Sequence, residues 1–378
     1  MAGGERGRSH VERGAVNEVG ALAPWGVQLW GARAVEEALR NPSLRVGGRR
    51  RWHVHPAVHD LVDRMPSMHD DAAHRESIVT VWSLLSPDSA HRAAPVMRAE
   101  MARLAAEVVC LPGPEVDLVR NYTSLIAPTF LHSHLALADA VTVSQLRDFS
   151  ASLGLELAHP ETPDALRVAQ ILNTTHALTE FAALLRATGP ADHPLDALIA
   201  SVPDDRDVAA VIALLASGGQ ETVSSLASSA IIAMVEDPEF ATAWDRDPGP
   251  VLDDLVARQP PITMLARIST AETTAGGLPI LAERTVLLQL DRGASEAGLA
   301  FGMGLHRCLG RNVARLLVPI AVNALREAWP QWPPRDLRPE GRPEVPVFRG
   351  PSHLFARLAS LDHVNWHDSQ AAPQKLGE

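Results

Sequence analysis

The segment Phe301-Gly302-Met303-Gly304-Leu305-His306-Arg307-Cys308-Leu309-Gly310 concentrates residue types that suit a thiolate facing a flat macrocycle. A cysteine thiolate can ligate heme iron from one axial side and push electron density onto it. Gly302 and Gly304 let the backbone turn tightly beside such a ring. A helix starting just after Cys308 would aim N–H groups at the sulfur and favour its anionic form. Phe301 would shield the sulfur from water, and His306 or Arg307 offers positive charge to acidic groups on the ring's edge. The ordinary fate of a lone thiol is burial as a small hydrophobe. Cys308 stands apart because all six specified positions of F-G-x-G-x-H-x-C-x-G are matched at once.

A second segment, Gly218-Gly219-Gln220-Glu221-Thr222, ends 86 residues before that cysteine, inside a long apolar stretch. Alone, a Gly-Gly step in a helix need only allow close packing. Small residues can also leave room for dioxygen between helix and cofactor, and an acid–alcohol pair can relay protons to it.

The cysteine loop resembles the signature loop of the cytochrome P450 family, and Ala314-Arg315 continues the match. The resemblance implies heme b (iron protoporphyrin IX) as cofactor and Cys308 as its metal ligand, with Phe301, Gly302, Gly304, His306 and Gly310 around it. It makes Gly218, Gly219, Glu221 and Thr222 the catalytic step of the central helix. Pro261-Ile262-Thr263-Met264-Leu265-Ala266-Arg267 is similar to the family's strand after a Pro-Pro turn, whose arginine binds a heme propionate. Asp88-Ser89-Ala90-His91-Arg92 resembles its D-P-P-E-H segment, whose histidine does the same, so His91 and Arg92 are expected beside the cofactor with Arg267. Pro95 stands where the family has an arginine. Phe348-Arg349-Gly350-Pro351 resembles the family's structural F-R-G turn, and Asn41-Pro42-Ser43-Leu44-Arg45 its early D-P-R-F segment. The resemblance spans about residues 25 to 358.

Two family features are altered. The E-x-x-R helix pair would fall on Asp254 and Ala257, with Arg258 one step late; Asp254 and Arg258, spaced i, i+4, can pair on one helix face. The irregular segment before the cysteine loop is cut down to Asp291-Arg292-Gly293-Ala294-Ser295. In the family these regions support the proximal side of the heme, where a redox partner docks.

The elements that must position these residues read as mainly α, a cytochrome P450-like fold with a long central helix and small β regions. From Trp25 to Leu39 the pattern is extended and then helical, closing at Asn41-Pro42, and residues 44–56, with Arg49-Arg50-Arg51, form a basic loop. Helical segments run from about 70 to 200, broken at Pro87, Pro112, Pro128, Pro160 and Pro190. Pro203-Asp204-Asp205 opens a helix of roughly 30 residues, about 45 Å long, which ends near Asp237-Pro238 and is apolar enough all round to be central. A short helix over 250–258 stops at Pro260-Pro261. Strands follow in 262–290 with Gly276-Gly277 at a turn, then a helix over 309–328 kinked at Pro319, then an irregular Pro-rich stretch over 329–347. Residues 1–22 read as a flexible tail, 23–360 as one domain and 361–378 as a second tail.

Composition narrows the function. Of the 378 residues 46% are hydrophobic and 21% charged, so a large core is available. A formal charge of −11 argues against nucleic acid and against anionic membranes. Two cysteines, Cys110 and Cys308, make no disulfide framework, and the polar first residues lack a signal peptide's apolar core, so the expectation is a cytoplasmic protein. Lysine occurs only at Lys375 and tyrosine only at Tyr122, a GC-rich coding bias consistent with a bacterial source. His132 and His134, at i, i+2, do not share a helix face and make no metal site.

The first reading is a heme-thiolate oxidoreductase acting on a small molecule or carrier-bound intermediate in bacterial secondary metabolism. By resemblance its electrons come from ferredoxin and a ferredoxin reductase, or it runs in a peroxide-driven or redox-neutral mode. The second is a non-catalytic homologue that stabilises a partner glycosyltransferase. Heme binding with an intact oxygen site separates the two.

Overall fold

A computed structural model of the chain describes residues 20–23, 26–46, 54–158, 164–190, 192–291 and 297–358. The Arg49–Arg51 run, Arg292 to Ser295 and the tail over 361–378 lie outside these. The N-terminal third contains β1 (Gly20–Ala23), β2 (Gly26–Leu29), α1 (Ala32–Arg40), β3 (Leu44–Arg45), α2 (His59–Arg64), α3 (Ala72–Leu85), α4 (Pro87–Val109), β4 (Glu115–Asp117) and α5 (Leu118–Asn121). The middle is helical: α6 (Ile126–His134), α7 (Val143–Ala158), α8 (Ala165–Thr188), α9 (Asp196–Ser201), α10 (Asp205–Glu236), α11 (Pro238–Arg246) and α12 (Pro248–Arg258). Then come β5 (Met264–Ser269), β6 (Thr273–Ala275), β7 (Leu278–Ile280), β8 (Thr285–Gln289), α13 (Ala297–Ala300), α14 (Arg311–Ala328), β9 (Arg335–Glu340) and β10 (His353–Arg357).

Local chemistry sets the ends of the helices that matter. Asp204 caps the 32-residue α10, its carboxylate accepting from the Arg206 N–H. At the other end Asp237 stops α10 and caps α11 through the N–H groups of Glu239 and Phe240, with Pro238 in the first turn. Asp247-Pro248 repeats the device for α12, and Ser86-Pro87 does so for α4. Proline is tolerated there because its missing N–H lies among those a helix start leaves unpaired.

The core gathers around α10, whose Val208–Ala213 and Leu226–Ile231 stretches are almost wholly buried. It packs against α6, α7, α8 and α14, and α14 packs along α4. The Tyr122 hydroxyl, fully buried, donates to the Ala321 carbonyl at 2.7 Å and pins the turn before α6 to α14. Beside the helices lies a sheet of order β1-β2-β8-β5-β3, in which β2 and β8 run parallel and the other pairs antiparallel. A second sheet has the order β4-β10-β9, and β6–β7 is a hairpin turning on Gly276 and Gly277, both at positive φ.

Two expectations need correction. Gly20–Leu22, assigned to the tail, belong to β1, because Gly20 pairs with Leu29 and the strand extends the sheet. The stretch over 329–347 is not wholly irregular, since Arg335–Glu340 forms β9 along β10. Its side chains are mostly exposed and polar, so no apolar alternation advertises the strand. By length and composition Gly304–Ala328 is apolar enough to cross a membrane. That stretch includes the cysteine loop, and Val313, Leu317, Val318, Ala321, Val322 and Leu325 of α14 are buried in the core.

Replacing Tyr122 by Phe deletes one buried hydrogen bond with almost no change of shape. It should lower unfolding stability by about 1 kcal/mol in a denaturant titration; an unchanged midpoint would show that the bond contributes nothing.

Candidate functional site

The cysteine loop is folded by its own backbone. The Cys308 N–H donates to the Phe301 carbonyl at 2.8 Å and the Gly302 N–H to the Leu299 carbonyl at 2.9 Å, closing a compact turn. Gly302 and Gly304 have φ of 67° and 70°, the left-handed region. At Gly304 a Cβ would also stand 2.7 Å from the Leu39 carbonyl oxygen, so any side chain there collides with α1.

The loop presents Cys308 to a cavity of about 340 Å³ between α10 on one side and the loop and α14 on the other. The sulfur is exposed, but to the cavity, and protein surrounds it elsewhere. This enclosure pushes the thiol above its ordinary pKa; the N–H groups of Gly310 and Arg311, hydrogen-bonded to the sulfur, and the Arg311 charge pull the other way. The Arg311 guanidinium also lies 5.4 Å from the centre of the Phe301 ring. Phe301, Gly302, Arg307 and Gly310 line the cavity with Cys308.

Across the cavity α10 contributes Gly218, Gly219 and Thr222. A Cβ on Gly218 would meet no protein atom within 4 Å, so the helix surface is left open there. Thr222 Oγ1 donates to the carbonyls of Gly218 and Gly219 at 2.9 and 3.3 Å. Glu221 is not part of the cavity lining; it accepts from Gln220 Nε2 at 3.2 Å. Burial, then the charge of Glu344, raises its carboxyl above the ordinary 4.5. The remaining walls are apolar, with Val81, Leu85, Phe130, Leu215, Leu265 and Leu290 among them.

One end of the cavity is polar. His306 lines it, with Nε2 2.8 Å from Asp70 Oδ1. His74, buried in α3, also lines it; its Nδ1 faces the Pro66 carbonyl at 2.7 Å and its Nε2 the Leu305 carbonyl at 3.3 Å. The two imidazoles are 4.5 Å apart. Arg267, 7% exposed, is not among the cavity-lining residues, but its charge acts on His306. Its guanidinium donates from Nη1 to the adjacent Ala266 carbonyl at 2.9 Å, and among the described residues no carboxylate lies within ion-pair distance of it. Burial lowers its pKa, opposed by the field of Asp70.

His91 and Arg92 do not reach this place. Pro87 starts α4, so both fall on the exposed face of its first turns, where His91 Nδ1 faces the Pro87 carbonyl at 2.7 Å. Arg92 lines a separate cavity of about 350 Å³ with Ser89 and His134. The α3 histidine His74, missed in the sequence, lines the cavity instead of His91. The signal was spacing: the D-P-P-E-H pattern sets histidine four residues after aspartate, as from Asp70 to His74, whereas Asp88 to His91 is three. Ile78, an apolar lining residue, follows His74 where the family has arginine. His134 is committed to the Leu84 carbonyl at 2.8 Å, and among the described residues no group of three His, Cys, Asp or Glu side chains could hold a metal ion.

The residues present fit a heme. An open sulfur with two N–H donors lies opposite the open Gly218 position of α10, between apolar walls, and near His306 a buried guanidinium has no carboxylate at ion-pair distance among the described residues. Support behind the cysteine differs from the family's pattern. Asp254 pairs with Arg258 at 2.5 Å on an exposed face of α12, whereas the neighbouring Asp253 reaches Arg315 at 3.1 Å and ties α12 to α14, the helix that follows Cys308.

Comparison with known proteins agrees. No protein-family model matches the chain. Over 285 residues it is 25% identical to the erythromycin C-12 hydroxylase of Saccharopolyspora erythraea, covering 68% of this chain and 70% of that one. Over 343 residues it is 24% identical to cytochrome P450-SU2 of Streptomyces griseolus, covering 83% and 78%. The structure of epothilone D-bound cytochrome P450epoK superposes with a TM-score of 0.77 at 18% identity, over 88% of this chain and 91% of that one. P450BioI in complex with a hexadec-9Z-enoic acid-ligated acyl carrier protein gives 0.74 at 19% identity, over 88% and 92%. The chain is similar in sequence to proteins named as cytochrome P450s and shares the fold of solved P450 structures. It has the P450 fold, and its curated homologues are P450 monooxygenases, which are oxidoreductase enzymes.

Gly218→Ala meets no protein atom, so it should stabilise this P450 fold by roughly 0.5–1 kcal/mol; destabilisation would show that α10 cannot accept a methyl group there. The raised Glu221 carboxyl binds its proton more tightly in the folded state. Its contribution to stability is therefore complete below the ordinary 4.5 and is lost as pH rises through the folded value. Stability curves of wild type and Glu221→Gln should diverge on that rise, the wild type falling relative to the variant; parallel curves would contradict it.

Proposed function

We propose that this chain is a heme-thiolate monooxygenase that oxidises a small molecule in bacterial secondary metabolism. The observation that carries the reading is the cavity-facing Cys308 sulfur, held by two backbone N–H groups opposite the Gly218-Gly219 step. Cys308 would ligate the iron of heme b, Arg267 and His306 would hold its acidic groups, and the Phe301 ring would cover the sulfur. Bound heme supplies redox-active iron for dioxygen activation.

The other assignments concern what the protein itself does. Gly218 and Gly219 leave space between helix and cofactor. Thr222 Oγ1, now donating to the helix carbonyls, turns by one rotamer to pass a proton into the cavity. Glu221, whose carboxyl keeps its proton to higher pH, supplies Thr222 from the protein side. The apolar walls exclude water and favour an apolar substrate face. The names of the erythromycin and epothilone proteins, and the acyl carrier protein held by P450BioI, support a secondary-metabolite or carrier-bound substrate. Electrons would come from a ferredoxin and its reductase. A role as a non-catalytic stabiliser of a glycosyltransferase has no feature of the structure in its favour.

The test is the absorption spectrum of the heme-loaded, reduced protein under carbon monoxide. A near-stoichiometric, strongly red-shifted Soret band that Cys308→Ala abolishes is expected. A folded, helical protein that takes up no heme overturns the reading.

A further inference from the structure

We propose that the second cavity, walled by α3, α4, α6 and the turn before α9, binds an α-amino acid-like zwitterion, with Arg92 on its carboxylate and Asp192 on its ammonium group. The site is independent of the heme reading, because this cavity shares no lining residue with the one that holds Cys308.

Two helices wall both cavities. α3 turns Val81 and Leu85 to the Cys308 cavity and Ser83 and Leu84 to this one. α6 divides Phe130 and Leu131 from Ser133 and His134 in the same manner. The volume of about 350 Å³ lies at the low end for ligand pockets, which favours a small molecule. Part of the wall is apolar, for Met97 is buried there and Val96, although aliphatic, stays 52% exposed.

Arg92 and Asp192 line this one cavity, yet among the described residues neither joins an ion pair. Opposite charges held apart across a cavity leave a gap that a molecule carrying both charges can bridge. A guanidinium donates paired N–H bonds to a carboxylate, and an ammonium donates to a carboxylate in turn. The neutral groups repeat this division. Ser133 offers a hydroxyl donor without a partner among the described residues. His134 Nε2 faces the Leu84 carbonyl at 2.8 Å, with Ser89 Oγ 3.2 Å from the same nitrogen. A carbonyl only accepts, so the ring proton sits on Nε2. Burial holds the imidazole below its ordinary pKa, which leaves Nδ1 a lone-pair acceptor. Stacking on Phe130, with ring centres 4.8 Å apart and planes at 15°, fixes the ring. Arg92 and Ser133 thus serve a carboxylate, Asp192 and His134 an ammonium group, and Val96 and Met97 an apolar side chain. The charges of Arg92 and Asp192 cancel, which suits a zwitterion better than a simple anion or cation.

Isothermal titration of the full chain with L-leucine tests this. Saturable binding is expected. It should weaken on the order of 10-fold for leucinamide, which lacks the carboxylate, and for 4-methylpentanoate, which lacks the ammonium group, the scale of hydrogen bonds to charged groups. Arg92→Gln and Asp192→Asn change exposed side chains, so both variants should melt with the wild type while their affinity for leucine falls by a similar factor. Leucinamide should be indifferent to Arg92→Gln, and 4-methylpentanoate to Asp192→Asn, since each analogue already lacks the group that the lost charge would meet. The comparison of leucine with its analogues on the wild type stands whatever the stability of the variants. Absence of leucine binding, equal affinity for either analogue, or variants that leave the affinity for leucine unchanged overturns the proposal, the last by placing leucine elsewhere on the chain.

Discussion

A thiol enclosed by apolar walls resists ionisation, and the arrangement around Cys308 is organised against that resistance. Enclosure raises the thiol's pKa, while the Gly310 and Arg311 N–H groups and the Arg311 guanidinium stabilise the anion a metal needs. These donors exist because α14 begins immediately after the cysteine, and the loop can deliver the sulfur there because Gly302 and Gly304 adopt positive φ. The loop in turn lies close against α1, whose Leu39 carbonyl leaves no room for a side chain at Gly304. Local backbone geometry, helix electrostatics and tertiary packing therefore meet at one sulfur atom.

The opposite wall follows a different logic. α10 is long and apolar because it crosses the core, yet at Gly218-Gly219 it forgoes side chains where packing would ordinarily fill the space. Glycine in a helix interior is unfavourable, and the burial on either side of the step is what sustains it. Immediately beyond, Glu221 is held where burial and Glu344 disfavour its charge, so the same helix supplies the opening and a carboxyl that keeps its proton to higher pH.

The polar end shows how the chain handles charges that water does not reach. Among the described residues Arg267 is buried without a carboxylate at ion-pair distance, His306 faces Asp70, and His74 faces two carbonyls. Support behind the cysteine comes through Asp253 and Arg315, one residue removed from the exposed Asp254–Arg258 pair that sits where the family's motif would fall. The cysteine loop is thus braced by contacts other than the helix pair that the family's motif would supply.

By itself the sequence determined whatever depends on contiguous residues. The cysteine loop, the glycine–acid–alcohol step and the limits of α10 were all legible, because tight turns, caps and helical runs are written in neighbouring positions. Pairings between distant segments were not. The resemblance points to Asp88-to-His91, but packing turns the first turns of α4 outward and sets α3, with His74, against the cysteine loop. The same holds for Asp70 with His306, Asp253 with Arg315, and exposed β9 with β10. Each joins residues whose separation along the chain carries no periodic signal, so their meeting is a property of the tertiary structure alone.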